Sequence, residues 1–390
     1  MSVWEGLLRQ ALGSQALLCG YPLPASRRGL AIDELEAQAF STDALCVAED
    51  LPLLCGHLAA SSLALDLLAD AGWGLPERLL VFRDHEELLA RILSEASKGG
   101  RVAASFPLPE GRIPPEAHLI APELRAMLND KGNLERLVPE GQHPVRRRVE
   151  VAELLQDPAR CRGAVLKIAT GESGGGRGVL LPPDSEDPVL VRALLQRADS
   201  VILEEFLPFT NTRCFNYLID GTGEVRFLGA PEQLLLGARY LGNWFEADDS
   251  PEPGAVAAGV EICKRAANLG YHGAAGFDAG FLQDGSFRFV DLNFRMNGST
   301  APLLLAPELL RRSGAPAALR TGLRGKASPK GLASNLRRLI AEKRFFTLAV
   351  VLSEAEASDS EFLVSGFLMG SDRDDILASA ADVTWRLLGR

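Results

Sequence analysis

The chain has 390 residues, 47% hydrophobic and 24% charged, the composition of a folded globular protein long enough for about two to four packed units. Its 51 acidic and 41 basic residues leave a net charge of −10, which argues against broad electrostatic binding to nucleic acid or an anionic membrane while leaving room for a local basic pocket. The six cysteines form no C-x-x-C pair and the five histidines are scattered, so neither a disulfide framework nor a zinc site is readable, and a reducing compartment is expected. No basic n-region leads into an apolar run at the N-terminus, and no stretch reaches the roughly 18 apolar residues of a membrane span; the expected location is cytoplasmic, without membrane contact.

In chain order, ALCVA (44–48), RLLVF (78–82) and RVAASF (101–106) read as strands, alternating with helical patterns in GHLAASSLALDLLADAGW and HEELLARILSEASKG. Such alternation predicts a small α/β unit with a parallel sheet. Five prolines in PLPEGRIPPEAHLIAPE (107–123) block regular structure and mark a boundary. Helical spacing resumes in ELRAMLNDKGNLERLV. A strand GAVLKIA, a glycine-rich loop, a strand GVLLP, a helix PVLVRALLQRA and a strand VILEEFL follow. Two hairpins come next, TRCFNYLI-DGTG-EVRFLGA and GFDAGFLQ-DG-SFRFVDLNFR, separated by the helical AVAAGVEICKRAANLG. After a helix near 302–313 and the Gly/Lys/Pro-rich TGLRGKASPKG, a last unit reads FFTLAVVL, FLVSGFLMG and DRDDILASAADVTWRLL.

Two stretches carry chemistry. In VLKIATGESGGGRGVLL (165–181), Lys167 stands near the end of a strand, just before a loop almost without side chains. Bare backbone lets several N–H groups converge on phosphate oxygens. The familiar versions fail on spacing: Arg177-Gly178 stands where a P-loop needs Lys-Ser/Thr, no G-x-G-x-x-G is present, and no H-R-D or D-F-G follows. Strand, lysine, glycine loop and strand remain, with a plain hairpin connection as the alternative.

The second stretch is the hairpin 276–295. If Asp284-Gly285 forms a two-residue turn, Gln283 pairs with Ser286, and counting equally down both strands sets Asp278 opposite Asp291. Like charges so opposed are destabilising, so either one carboxyl is protonated or a cation lies between them. Strand alternation adds Asn293 and Arg295 to the face of Asp291. Two carboxylates and an amide oxygen suit magnesium completed by nucleotide phosphates; a solvent-facing charge pair is the alternative.

Together, Lys167 with GESGGGRGV, the EEFL segment at 204–207 and the paired strands ending in D-L-N-F-R resemble the ATP-grasp superfamily over about 120–305. The layout is also similar to peptide ligases of the pheganomycin type. The resemblance implies an α/β protein with α+β lobes: a Rossmann-like pre-ATP-grasp domain (1–118), an ATP-grasp domain (119–305, small lobe about 145–205, large lobe about 206–305) and a small C-terminal α/β extension (306–390).

By the same resemblance Lys167 and Lys131 contact ATP, Lys131 having a helix-surface alternative. Gly174, Gly175, Gly176 and Gly178 close over the phosphates. Glu204, Glu205, Phe206 and Leu207 form the linker that reads adenine and ribose. Cys214 and Asn216 stand where several relatives place a histidine or acid, so the ribose contact stays open. Asp278, Asp291 and Asn293 match the ligands of magnesium, expected as two ions, with manganese as a substitute; aspartate replaces the frequent glutamate. Arg295, with Lys167, is the catalytic expectation, meeting phosphate or substrate carboxylate. Arg213 and Arg239 read as surface residues, with added positive charge in the pocket as the alternative, and Tyr240, Trp244 and Phe245 as core or pocket wall.

The activity implied is ATP-dependent carboxylate–amine ligation through an acylphosphate, joining small molecules, amino acids or peptides. A nucleotide-binding regulator without turnover and a dinucleotide-dependent oxidoreductase are the rivals. A homodimer is an open expectation, since the sequence fixes no oligomeric state.

Overall fold

A computed structural model describes residues 5–24, 26, 30–169, 176–353 and 359–388. The N-terminal unit holds four parallel strands, β1 (Ala16–Cys19), β2 (Leu53–Gly56), β3 (Leu79–Phe82) and β4 (Arg101–Ala104), in the order β3-β2-β1-β4. Helices Ser62–Asp70 and His85–Ala96 connect them, each opened by a side-chain cap, Ser61 on Ala64 and Asp84 on Glu87. The expectation of a strand at 44–48 is corrected. That segment turns tightly, with Leu45 N–H bonding Thr42 O and Val47 N–H bonding Ala44 O, and its apolar side chains join the core shared with the later sheet. The true second strand lies a few residues on, at Leu53–Gly56.

The next unit is an antiparallel sheet of β5 (Arg146–Glu150), β6 (Ala164–Ile168), β7 (Val179–Leu180) and β8 (Ser200–Glu205), ordered β5-β8-β6-β7. Helices Val151–Gln156 and Pro188–Leu195 pack on it through Leu154, Val191 and Leu194. This is the small lobe.

The remaining strands among the described residues form one sheet: β9 (Asn211–Ile219), β10 (Val225–Gly229), β11 (Glu232–Leu236), β12 (Arg239–Glu246), β13 (Gly273–Phe281), β14 (Phe287–Asn293), β15 (Ala317–Ala327), β16 (Phe345–Leu352) and β17 (Ser360–Gly370). Its order is β14-β13-β9-β11-β12-β15-β17-β16, with β10 hydrogen-bonded to β9. An aromatic layer of Phe215, Tyr217, Phe277 and Phe289 is covered by the apolar face of helix Pro253–Asn268. The hairpin β11–β12 and the strand β15 had no counterpart in the sequence reading. The C-terminal strands continue the large-lobe sheet through the pairing of β12 with β15.

Among the described residues no helix is long and apolar enough to cross a membrane.

Candidate active site

A cleft of about 910 Å³ lies between the two lobes and is closed at one end by the N-terminal unit. Its chemistry centres on the β13–β14 hairpin, where Asp278 pairs directly with Asp291 and Gly276 with Asn293. That register arises by a route different from the one predicted. The connection is a three-residue loop, Gln283-Asp284-Gly285, with Leu282 N–H bonding Ser286 O and Gly285 at a φ of 82°. A two-residue type I′ turn would put Asp284 in the left-handed region as well, whereas in this loop Gly285 alone has a positive φ. The loop shifts the pairing by one, Phe281 meeting Phe287, and a bulge at Val290 shifts it back before the aspartates. The bulge also frees the Val290 carbonyl, which accepts a hydrogen bond from Lys167 Nζ at 3.0 Å.

The opposed carboxylates are held unequally. Asp291 is ion-paired with Lys131. Burial opposes its ionisation, but the Lys131 ammonium, with Lys167 and Arg295 beyond, holds its pKa below the usual range. Asp278 goes the other way, pushed up to about 6, first by burial and then by the charge of Asp291. Its own contacts are the Gln233 amide at 3.1 Å and the Cys214 thiol. Asn293 Oδ1 accepts from Arg295 Nη2 at 3.0 Å, and the same guanidinium lies over the Phe106 ring, 5.4 Å from its centroid.

Lys131 is buried, so its helix-surface alternative is corrected. The helical pattern breaks after Asn129. Asp130 accepts from Gly132 N–H at 2.8 Å, and the resulting turn aims Lys131 inward. Lys167 is also buried and bonds Glu204 Oε1 at 2.5 Å; the other oxygen of Glu204 faces Arg146 Nη1 at 3.4 Å. Burial lowers the lysine pKa and Glu204 opposes that shift. The Arg146 guanidinium has no hydrogen-bond partner among the described residues, leaving a buried cation under the small-lobe wall.

At the linker, Glu205 is exposed and its carboxylate accepts from Val145 N–H at 2.8 Å, while Phe206 and Leu207 line the cleft with Val165 and Val179. Gly174 and Gly175 lie outside the described residues. Gly176, at a φ of 76°, packs against the turn between β11 and β12, where a Cβ would stand 1.7 Å from the Ala238 carbonyl oxygen. Gly178 O accepts from Ile168 N–H at 2.8 Å and closes the loop onto β6. Arg177, also in the cleft lining, is ion-paired with Glu36 and donates to Ala31 O at 3.0 Å, tying this end of the glycine loop to the N-terminal unit.

Arg213 is spent on Asp249 at 2.8 Å and on Ala230 O, away from the cleft. Arg239 is exposed and lines the cleft. Tyr240 is a wall residue, its hydroxyl donating to Asn243 Oδ1 at 2.5 Å, whereas Trp244 and Phe245 are core. Cys214 and Asn216 are buried. Asn216 accepts from the Thr300 hydroxyl at 3.1 Å and donates to Ser299 Oγ at 3.0 Å, so it serves a packed polar network.

Sequence reasoning missed Gln233, Asn297, Ser299, Arg320 and Asp43, all in the lining of this cleft. Arg320 comes from β15, and its Nε is buried without a hydrogen-bond partner among the described residues. Asp43 comes from the turn that replaced the expected strand. Burial pushes its pKa up to about 6 against the opposing pull of Arg320 and Arg295.

A small antiparallel lobe closing on a larger sheet, with lysines on one wall and paired acids on the other, defines the ATP-grasp class of nucleotide-dependent enzymes. The profile of the ATP-grasp domain of L-aspartate–L-methionine ligase matches residues 144–293, and that of the N-terminal domain of the same ligase matches residues 7–126. The chain belongs to the ATP-grasp carboxylate–amine ligases, and it is an ATP-dependent enzyme that forms carbon–nitrogen bonds between small molecules. Solved structures share the fold. An N5-carboxyaminoimidazole ribonucleotide synthetase in complex with ADP is 15% identical, with a TM-score of 0.55, 96% of this chain and 97% of that one being covered. A Staphylococcus aureus N5-carboxyaminoimidazole synthetase with ADP is 10% identical, TM-score 0.56, with the same coverage. Campylobacter jejuni biotin carboxylase is 12% identical, TM-score 0.51, covering 96% and 91%.

Proposed function

We propose that the enzyme couples two amino acids, activating the carboxylate of one and joining it to the amine of the other. L-aspartate and L-methionine, the pair in the name of the matched family, are the first candidates. The observation that carries the reading is the facing of Asp278 and Asp291 beside Asn293, with Lys131, Lys167 and Arg295 around them.

The donor set fits a divalent cation: two carboxylates and an amide oxygen on one strand pair, one carboxyl kept from easy ionisation by burial and by the charge of the other. Asp278, Asp291 and Asn293 would hold magnesium, as two ions, or manganese. When bound, the metal offsets charge on the transferring phosphoryl oxygens. The protein does the rest by positioning. Lys131 and Lys167 hold phosphate oxygens, the glycine loop with Gly174, Gly175, Gly176 and Gly178 excludes water, and the linker from Glu204 to Leu207 seats the base. Arg295 orients the substrate carboxylate or the γ-phosphate.

A carboxylate oxygen attacks the γ-phosphorus, ADP leaves, and an acylphosphate forms. The amine nitrogen attacks the acyl carbon, losing a proton, and inorganic phosphate leaves with the cleaved C–O electron pair. We place this chemistry in the cytoplasm, which the six free, buried cysteines support. Mass spectrometry of products from ATP with pooled amino acids, alongside ADP release, tests it. Release that requires both an acid and an amine, with a dipeptide mass, is expected; hydrolysis of ATP indifferent to both would overturn it.

A further inference from the structure

A second cavity, of about 350 Å³, adjoins the cleft. Its lining includes the carboxyl ends of β1 and β4 at Leu18–Gly20 and Ala103–Ser105. In the order β3-β2-β1-β4 the chain builds outward from β1 through β2 to β3, then returns to the other side of β1 for β4. The crevice at such a reversal, beyond the carboxyl ends of parallel strands, is where open α/β sheets take ligands. The volume falls at the small end of the ~300–1,000 Å³ typical of small-molecule sites.

The lining is mainly apolar, with Leu12, Leu18, Leu119, Phe294 and Met296 among its walls. Asp43 and Arg295 belong to both cavities and so stand where they meet. Asp43 is half-buried in the wall shared by both cavities, and among the described residues no donor hydrogen-bonds its carboxylate, which leaves it open to a donor from the cavity. The cleft side of this junction is rich in guanidinium, Arg295 and Arg320 both facing Asp43. A substrate carboxylate is therefore favoured on the arginine side, and a nitrogen that donates hydrogen bonds at Asp43.

We infer that the second cavity is the amine-substrate site and takes an apolar amino acid, its side chain among the hydrophobic walls and its nitrogen on Asp43 at the opening into the cleft. The inference rests on the ligase reading and adds which substrate occupies which chamber. Arg125, in the same lining, adds positive charge to the wall of that chamber. L-methionine is of this class; glycine and L-aspartate are not.

The experiment measures KM for a series of amine substrates at saturating ATP and acid, in the wild type, in Asp43→Asn and in Ala126→Phe. Ala126 is an exposed lining residue on helix Pro122–Asn129, so the fold tolerates its replacement. Expected are a preference of at least about tenfold in kcat/KM, about 1.4 kcal/mol, for methionine or leucine over glycine and aspartate as amine, a rise in the amine KM of Asp43→Asn that exceeds any rise in the acid KM, and a shift of Ala126→Phe toward smaller side chains. Equal rises in both KM values, or an unaltered size ranking in Ala126→Phe, would overturn the assignment. Hydroxylamine trapping in the wild type tests the ligase reading separately, since this small nucleophile needs no side-chain pocket. Hydroxamate formed with an acid and ATP, beside a negative result for the variants, removes the cavity assignment alone. No hydroxamate with any acid removes the ligase reading as well.

Discussion

Replacing Asp278 with asparagine should stabilise the metal-free, nucleotide-free protein while abolishing its turnover. Burial and the facing charge of Asp291 move the Asp278 pKa from 3.8 to about 6. Two pK units correspond to about 3 kcal/mol of cost in ionising this carboxyl in the folded protein. An amide forfeits part of the bonding to Gln233 and Cys214, about 1 kcal/mol, so a net gain of about 2 kcal/mol is expected at pH 7.5. Because the folded-state pKa is the higher one, the folded protein binds the extra proton between pH ~4 and ~6, and wild-type stability falls as pH rises through that window. The advantage of the variant should therefore be largest above pH 6 and shrink to about a third by pH 5. Denaturant midpoints in the presence of a chelator at pH 7.5 and 5.0 measure this, beside ADP release with magnesium. A variant less stable than wild type at pH 7.5, or a difference that does not change with pH, would show that the two carboxylates do not confront each other.

The glycine loop gives two further tests. Gly176→Ala forces a left-handed residue to carry a Cβ into the Ala238 carbonyl, so the loop must part from the β11–β12 turn, and kcat/KM for ATP should fall more than about tenfold with little change in the unfolding midpoint of the N-terminal unit. Limited proteolysis should then cut near 170–178 faster in the variant than in wild type. Arg177→Ala removes the partly buried pair with Glu36, and should raise KM for ATP severalfold while costing at most about 1 kcal/mol of stability in urea titration. A change in KM for ATP in neither variant would mean that the loop does not act in nucleotide binding.

The opposition of Asp278 and Asp291 was legible because two local features cancel. The Asp-Gly signal placed the hairpin, the turn held one residue more than counted, and the bulge at Val290 restored the register. A left-handed glycine after Asp284 suits a two-residue type I′ turn and a three-residue loop alike, so sequence alone could not choose. The inward turn of Lys131 was signalled by Asp130 and Gly132 interrupting a helical pattern. Strand β15 was hidden for a different reason. Its sequence AALRTGLRGKA alternates exposed and half-buried positions only over its second half, and glycines at 322 and 325 read as loop. What makes it a strand is pairing with β12 on one side and β17 on the other, contacts that are remote in sequence. Arg320 was invisible with it. Asp43 was missed because ALCVA satisfies strand propensity, whereas burial against the large-lobe core selects a compact turn.

Within the site opposite charges pair off, Lys131 holding Asp291 and Lys167 holding Glu204. For a triphosphate to engage Lys131, Asp291 must acquire another cation; for a divalent ion to engage Asp291, Lys131 must acquire another anion. Each ligand alone would leave a buried charge uncompensated, at a cost of several kcal/mol, whereas both together exchange one set of pairs for another. Nucleotide and magnesium should consequently bind with positive coupling of about 1–3 kcal/mol. Titration of a non-hydrolysable ATP analogue with and without magnesium measures it, with Lys131→Met as the control, because the variant lacks the pair that must be broken. The magnesium dependence of affinity should be markedly smaller in Lys131→Met than in the wild type. An equal dependence in the two proteins would show that the Lys131–Asp291 pair is not what links metal to nucleotide.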